Sequence, residues 1–180
     1  MIPLLRRIWL MAALLIALPG GPVSAADLEN TLYMDVPAGR VVIEMRPDVA
    51  PKTVARIKEL TRRGFYDGIV FHRVIDGFMA QTGDPKGNGT GGSGQKLAAE
   101  FSKEKHVRGT VSMARANDPD SADSQFFICF APASFLDGKY TVWGKVTSGM
   151  EFIDAIKKGE PPAKPDKIIK LQVAADEKKS

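Results

Sequence analysis

The segment from Phe71 to Asp84 carries the residues whose types could do chemistry. Its sequence, FHRVIDGFMAQTGD, places Arg73 and Gln81 close to Phe78 and Met79 around an Asp-Gly turn. An arginine side chain stays charged in proteins, and an amide both donates and accepts hydrogen bonds. Such a pair beside an apolar patch can bind and polarise a molecule electrostatically, and the segment offers no obvious nucleophile or metal ligand.

The rest of the sequence offers no comparable set for nucleophilic, metal or phosphate chemistry. His72 and His106 are the only histidines, and no cluster of cysteines or carboxylates accompanies them at ligand spacing. Ser124 has no histidine nearby in the sequence that could activate it. The stretch GNGTGG at 87–92 lacks the Lys-Ser/Thr pair of a phosphate loop and predicts a tight surface loop. We therefore expect no metal and no other cofactor.

The turn in the first segment decides which side chains share a face. A two-residue Asp-Gly turn would pair Ile75 with Phe78 and would put Arg73 on the face opposite Met79 and Gln81. A three-residue loop ending at Phe78 would instead pair Ile75 with Met79 and set Arg73 directly across from Gln81. We predict this second register, or an equivalent bulge, because it brings the cation, the amide and the apolar side chains to one face.

A second strand, QFFICF at 125–130, also has an unusual polar residue. Alternate side chains of a strand point to opposite faces. Burial in a core explains the set that begins with Phe126, but it does not explain Gln125 in the set that also contains Phe127 and Cys129. Cys129 is the only cysteine, so no internal disulfide is available, and we interpret it as a buried packing residue.

Periodicity and turn residues predict the elements that position these segments. Strands are expected at 31–36, 40–45, 69–75, 79–82, 110–113, 125–130, 141–146 and 168–173. Helices are expected at 50–64, where proline opens and glycine ends an apolar repeat, and at 150–157. Many short strands with two helices indicate a mainly β fold, closed or sandwiched, with the helices outside.

Length and charge exclude some classes of protein. A chain of 180 residues with 44% hydrophobic and 26% charged residues is typical of one soluble globular domain. The formal net charge of +4 falls to +2 without Arg6 and Arg7, which lie in a segment we expect to be removed. This charge is too small to predict nucleic-acid binding, and no basic stripe with interleaved aromatic residues is present.

The first 25 residues have the pattern of a signal peptide. A short basic region precedes the apolar run 8–18, then a Pro-Gly-Gly-Pro break and small residues at Val23 and Ala25. The alternative is a membrane anchor, but a bilayer span needs about 20 apolar residues. We predict a signal peptide at 1–25 and a mature domain at 26–180. The mature chain is expected in the periplasm, without stable membrane insertion, although secretion beyond the cell stays open.

Five motifs occur together and in order along the chain. They are FHRVIDGFMAQTGD, GNGTGG, SMARA, SQFFIC and FLDGKYTVWGKV. In order and spacing, from about residue 31 to residue 173, they resemble the cyclophilin family of peptidyl-prolyl cis-trans isomerases. The resemblance implies a closed eight-stranded antiparallel β-barrel capped by two α-helices, with the site on its outer surface. It also implies proline-containing polypeptides as partners, and it favours a monomer.

The resemblance implies roles for individual residues. Arg73 looks like the catalytic arginine, and Gln81 like the glutamine that hydrogen-bonds the substrate backbone and steadies the arginine. The walls of the proline pocket correspond to Phe78, Met79, Phe127 and Leu136. The strip for the residues before proline corresponds to Ala114 and Ala116, and more distant peptide contacts correspond to Gly89 and Gln125.

Three positions depart from the best-known eukaryotic members of that family. Phe135 stands where those members have tryptophan, which implies weak binding of cyclosporin because the indole N–H donor is absent. Tyr140 stands where they have histidine and keeps an aromatic wall with a hydroxyl. Arg115 stands where they have asparagine, and we expect it to change the preference for the residue before proline.

The function expected from these residues is isomerisation of X-Pro peptide bonds, assisting the folding of exported proteins. Rotation about such a bond needs no nucleophile, because the obstacle is amide resonance. The alternative is a proline-peptide-binding chaperone that uses the same groove without catalysis. The presence of Arg73 favours catalysis over binding alone, since binding a proline ring needs no cation.

Overall fold

The computed structural model describes residues 25–177. The predicted signal peptide lies outside the described residues except for its last residue, Ala25. The strands are β1 Thr31–Val36, β2 Gly39–Met45, β3 Arg73–Ile75, β4 Met79–Thr82, β5 Thr110–Met113, β6 Phe126–Cys129, β7 Val142–Ser148 and β8 Lys170–Val173. The helices are α1 Ala25–Glu29, α2 Pro51–Arg62 and α3 Met150–Asp154, with single 3₁₀ turns at Pro119–Ser121, Ser134–Leu136 and Ala174–Asp176.

The eight strands form one antiparallel sheet in the order β3-β4-β6-β5-β7-β2-β1-β8. The sheet curls into a half-barrel, so the mainly β prediction is confirmed. The edge strands β3 and β8 do not pair with each other. A single bridge joins Val70 to Lys167 just before them, and Ile168 N donates to Ile69 O at 2.9 Å. Full closure of the barrel stays a prediction.

The predicted elements are found with shifted ends and one addition. Strand 69–75 is shortened to β3, because only an isolated bridge at Val70 precedes it. Both predicted helices are present, although α3 ends at Asp154. The short helix α1 was not predicted, since five residues are too few to show a helical repeat. Among residues 25–177, no helix is long and apolar enough to cross a membrane.

Helix α2 follows from its sequence and from one distant carboxylate. Pro51 opens it, and Val54, Ile57 and Leu60 form its buried face, so it packs against the sheet beside β8. Its own first residues provide no side-chain cap. Glu100 takes that place and accepts hydrogen bonds from the backbone N–H groups at the start of the helix, at 2.8 and 3.0 Å.

The core lies inside the curl of the sheet, and a second apolar cluster lies on its outer face. The largest fully buried side chains of the core include Trp143, Tyr66, Phe71 and Phe126. The outer cluster consists of Met79, Phe127, Cys129, Ala133 and Leu136. This division confirms the predicted alternation of strand 125–130, with one set of its side chains in the core and the other outside.

Candidate active site

The predicted register of the β3–β4 hairpin is confirmed. Ile75 pairs with Met79 and Arg73 pairs with Gln81, across a three-residue loop. Strand β6 continues the row, since Gln81 pairs with Phe127. Residues opposite one another in adjacent strands point to the same face, so the cation, the amide and an aromatic ring stand side by side outside the core.

These side chains line a recess of about 120 Å³ on the outer face. Its lining consists of Arg73, Phe78, Met79, Gln81, Ala114, Arg115, Phe127, Leu136 and Tyr140. The structure thus brings nine of the predicted site residues together. The other three, Gly89, Ala116 and Gln125, line an adjoining cleft of about 330 Å³ that shares Gln81, Ala114 and Arg115 with the recess.

The recess has an apolar floor and an exposed aromatic rim. Met79 and Phe127 are 2% and 5% exposed, and Leu136 is 7% exposed. Phe135 is 62% exposed at the rim, and its ring lies 5.5 Å from the ring of Phe78. The recess is therefore shaped for a compact apolar group that enters from solvent.

Arg73 is held by two acceptors at the polar side of the recess. Its Nε donates to Glu160 Oε2 at 2.7 Å, and its Nη1 reaches Gln81 Oε1 at 3.5 Å. The Arg73 side chain is 42% exposed. It therefore borders the recess and solvent together, and its remaining N–H groups are available to a molecule bound there.

Gln81 is fixed by a chain of amide hydrogen bonds. Its Nε2 donates to Gln125 Oε1 at 2.9 Å. Gln125 Nε2 donates in turn to the carbonyl oxygens of Gly89 and Gly91, at 3.1 and 2.8 Å. This chain explains the unusual glutamine in strand 125–130, because it ties the polar side of the recess to the glycine-rich loop.

That loop is shaped by two acidic residues. Asp84 is 1% exposed and accepts hydrogen bonds from the backbone N–H groups of Lys86 and Gly89, at 2.7 and 2.6 Å. Burial raises the pKa of Asp84, but the backbone donors outweigh it and hold the pKa below the ordinary value. Asp123 accepts from the backbone of Ser93 and Gly94. The prediction of a tight surface loop is confirmed.

Arg115 lines the recess and the cleft, and most of its polar contacts are to the protein backbone. Its Nε and Nη2 donate to the carbonyl oxygen of Lys139 at 3.1 and 2.9 Å, and its Nη1 donates to those of Ala116 and Asn117. Its guanidinium carbon also lies 4.6 Å from the centre of the Tyr140 ring. Most of its donors are occupied by the protein backbone, so these contacts can hold the wall of the recess in place, and the predicted effect of Arg115 on the residue before proline stays a prediction.

A buried histidine supports the floor. The ring of His106 stacks on Phe127 at 6.1 Å, with Nδ1 3.1 Å from Asp137 Oδ1 and Nε2 3.0 Å from Ser112 Oγ. These are the residue types of a nucleophilic triad, but Ser112 is completely buried, so no substrate can reach it. Burial lowers the pKa of His106 below its ordinary value, although the hydrogen bond to Asp137 opposes this.

The thiol of Cys129 is unreactive. Cys129 is buried as predicted, and burial raises the pKa of its thiol to about 12, so the reactive thiolate does not form at neutral pH. Within residues 25–177, no three histidine, cysteine, aspartate or glutamate side chains are grouped so that they could hold a metal ion.

Sequence reasoning missed Glu160, His106 and Asp137 as parts of the site. Glu160 lies 87 residues from Arg73, and no motif marked it. His106 carried one signal, since a histidine with no polar cluster around it in the sequence is often a buried structural residue.

Comparisons with known proteins agree with this geometry. The family model described as cyclophilin type peptidyl-prolyl cis-trans isomerase matches residues 31–173. A probable peptidyl-prolyl cis-trans isomerase of Brucella suis is 54% identical over 189 aligned residues, covering 94% of this chain and 96% of the relative. Peptidyl-prolyl cis-trans isomerase B of Bacillus subtilis is 46% identical over 123 residues, covering 67% and 85%.

Solved structures agree as well. A cyclophilin from Hirschia baltica superposes with a TM-score of 0.78 at 30% identity, covering 84% of this chain and 76% of that one. A cyclophilin-type isomerase from Cryptosporidium parvum, crystallised in the presence of the dipeptide Ala-Pro, gives a TM-score of 0.74 at 28% identity, covering 79% and 98%. Sequence, fold and recess agree that the chain belongs to the cyclophilin-type peptidyl-prolyl cis-trans isomerase family and is a rotamase.

Proposed function

We propose that the chain isomerises X-Pro bonds of exported polypeptides at this recess, with Arg73 as the catalytic residue. The observation that carries the proposal is that the Arg73 guanidinium borders a recess of about 120 Å³ with an apolar floor. The volume and the apolar floor suit a pyrrolidine ring. The related isomerase from Cryptosporidium parvum was crystallised with Ala-Pro, which supports a proline-containing ligand here.

The reaction is rotation about a partial double bond with a barrier of about 18–20 kcal/mol. Twisting the amide breaks its conjugation and leaves a basic lone pair on the proline nitrogen. An N–H of Arg73 that points at this nitrogen stabilises the twisted state more than either planar state, and only such differential stabilisation raises the rate. The residue needs no proton transfer, so the guanidinium stays charged throughout.

The apolar side chains make that hydrogen bond effective. Met79, Phe127 and Leu136 hold the ring while the preceding carbonyl swings, and they exclude water that would screen the guanidinium. An acceleration of about 10⁴-fold requires roughly 5.4 kcal/mol, at 1.36 kcal/mol per factor of ten. One charged donor in a partly dry site, together with restraint of the ring, can supply that amount.

The adjoining cleft is proposed to hold the peptide that precedes proline. Ala114 and Ala116 present small side chains and main-chain groups along it, and Gly89 and Gln125 lie at its far side. Gln81 lies at the junction of cleft and recess, where its amide can hydrogen-bond the substrate backbone.

The proposal extends to location and assembly. The apolar run at 8–18 and the small residues before Ala26 support export through a cleaved signal peptide and a periplasmic location. The recess and the adjoining cleft are formed by one chain, which supports a monomer as the active form. Backbone hydrogen bonds from Gly68 and Phe71 to the segment before β8 support a closed barrel.

Activity of an Arg73→Ala variant tests the function. We expect the wild-type protein to accelerate exchange of a short X-Pro peptide, measured by NMR or by a protease-coupled assay, and the variant to lose most of that acceleration. A peptide titration and thermal unfolding should show that the variant still binds and folds. Equal rates for the two proteins would reject Arg73 as the catalytic residue. Undiminished prevention of client aggregation by the variant would favour the chaperone alternative.

A further inference from the structure

Glu160 occupies a place beside Arg73 that the family motifs do not describe. Its Oε2 accepts the Nε–H of Arg73 at 2.7 Å, whereas the contact from Arg73 Nη1 to Gln81 Oε1 is 3.5 Å. A distance of 2.7 Å lies at the short end of the normal range for an N–H···O hydrogen bond, whereas 3.5 Å lies beyond that range. Of these two contacts, the one to Glu160 therefore defines the orientation of the guanidinium more strongly.

The backbone puts Glu160 in this position. Residue 159 forms an antiparallel bridge with Val74 of β3, and both backbone hydrogen bonds between Val74 and Gly159 are 2.8 Å long. One step back along β3 is Arg73, and one step forward along the other segment is Glu160. Cross-strand neighbours in an antiparallel pair share a face. Glu160 therefore extends the row of Arg73 and Gln81 by one residue on the outer side of the sheet.

The segment that carries Glu160 is anchored on both sides of that residue. A Cβ on Gly159 would lie 2.6 Å from Cα of Pro162, which is buried, so the chain is closely packed there. Before Gly159, the backbone N–H and the side chain of Lys157 donate to the carboxylate of Asp166, at 3.0 and 2.8 Å. Glu160 is therefore presented by a constrained turn.

The consequence for Arg73 concerns which N–H groups face the recess. A guanidinium is a rigid plane whose donors point in fixed directions. With Nε–H directed at Glu160 on one side and Nη1 near Gln81 on the other, rotation about the last bonds of the side chain is restricted. The N–H groups that stay free are then held for a bound molecule.

We propose that Glu160 is a positioning residue for the isomerase reaction, which orients the Arg73 guanidinium toward the proline nitrogen through Nε. The inference rests on the proposed catalytic role of Arg73. The Arg73 and Glu160 side chains are 42% and 52% exposed, so water screens their mutual attraction. The contribution of Glu160 is therefore orientation of the donor, and neutralisation of the charge is a small effect.

The experiment compares two substitutions at one position. Glu160→Ala removes the acceptor, and we expect the rate of interconversion of bound peptide to fall about 3- to 10-fold, as for a long side chain that has to be ordered anew. The peptide dissociation constant should change less than twofold. Glu160→Gln keeps an oxygen acceptor at the same length, and its rate should stay within twofold of the wild-type rate.

Two measurements separate positioning from a general structural effect. In an Arg73→Ala background, Glu160→Ala should have no further effect on the rate. The Nε–H resonance of Arg73 should exchange slowly with water in the wild type and in Glu160→Gln, and quickly in Glu160→Ala. Glu177→Ala is the matched control, because Glu177 accepts from Arg40 at 2.6 Å in an ion pair of similar exposure away from the recess.

The outcomes separate this inference from the proposed function. If Arg73→Ala abolishes catalysis while Glu160→Ala matches the wild type, the positioning role is wrong and the function stands. Faster catalysis by both Glu160 variants would show that the carboxylate restrains Arg73 and would also overturn the inference. If the wild-type protein and Arg73→Ala are equally slow, the proposed role of Arg73 itself fails.

Discussion

Replacement of Arg115 by alanine tests whether this residue clamps the recess or contacts the substrate. In the structure the Nε and Nη2 groups of Arg115 donate hydrogen bonds to the carbonyl oxygen of Lys139, at 3.1 and 2.9 Å. It also covers the ring of Tyr140 at 4.6 Å. If these contacts hold the wall in place, Arg115→Ala loosens Tyr140, and peptide binding has to order it again.

The magnitude follows from the contacts that are lost. Carbonyl oxygens freed near the surface can bond water, so we expect a loss of about 1–2 kcal/mol in the free energy of unfolding. Ordering one loosened residue on binding costs about 1–2 kcal/mol, which at about 1.4 kcal/mol per factor of ten raises the peptide dissociation constant roughly 5- to 30-fold. The rate of cis-trans interconversion of the bound peptide should change less than about threefold, because the substitution leaves Arg73 and Gln81 unchanged.

The assay is a titration of several X-Pro peptides, followed by NMR measurement of exchange in the bound state. A clamp weakens binding of every peptide by a similar factor, whatever precedes proline. Arg115→Lys keeps the charge but lacks the forked donors, so it should resemble Arg115→Ala. Arg40→Ala is the control, since Arg40 also stacks on a tyrosine, Tyr33, at 4.8 Å. Weaker binding confined to peptides with an acidic residue before proline, and restored in Arg115→Lys, would refute the clamp and support direct contact.

Two further predictions concern the loop and the pH dependence of stability. Gly91→Ala places a Cβ 2.1 Å from Asp84 Oδ1, so the free energy of unfolding in urea should decrease by about 1–3 kcal/mol. Thr90→Ala, at an exposed position in the same loop, should change it little. A Gly91→Ala variant as stable as the wild type would contradict the tight packing. Burial holds the pKa of His72 and His106 below the ordinary value of 6.5. As the pH falls, the unfolded chain therefore binds protons before the folded chain does, and the midpoint of thermal unfolding should decrease below about pH 6.5. His106→Gln should flatten that decrease, and a wild-type midpoint that is constant from pH 7 to pH 5 would show that the histidines are not the cause.

The sequence predicted those parts of the fold that depend on local pattern and on the faces of strands. The register of β3 against β4 followed from the need to bring Arg73 and Gln81 to one face, and the structure confirms it. The division of strand 125–130 into core and outer sets followed from alternation alone. These inferences succeeded because a one-residue slip would move every side chain of a strand to the wrong face.

Contacts made by the backbone of distant segments could not be predicted in the same way. The sequence shows an arginine at position 115, but it does not show that this side chain donates to the carbonyl oxygen of Lys139 at 2.9 Å. Any residue type supplies a backbone carbonyl, so the residue type of the partner gives no indication of the contact. The capping of α2 by Glu100 likewise joins segments 47 residues apart. In both cases the partner is set by tertiary structure, and local sequence carries no signal for it.

The backbone bridge that precedes Glu160 both covers a strand edge and places Glu160 beside Arg73. Strand β3 is at the edge of the sheet, and an uncovered edge exposes backbone groups that can pair with other chains. The bridge from Gly159 to Val74 satisfies one such pair of groups, and the geometry of that bridge alone sets the next residue opposite Arg73. A substitution that shifts this bridge, such as Gly159→Ala, therefore removes edge protection and guanidinium orientation together. Because Glu160→Ala leaves the bridge intact, comparison of the two variants separates the contribution of the backbone from that of the carboxylate.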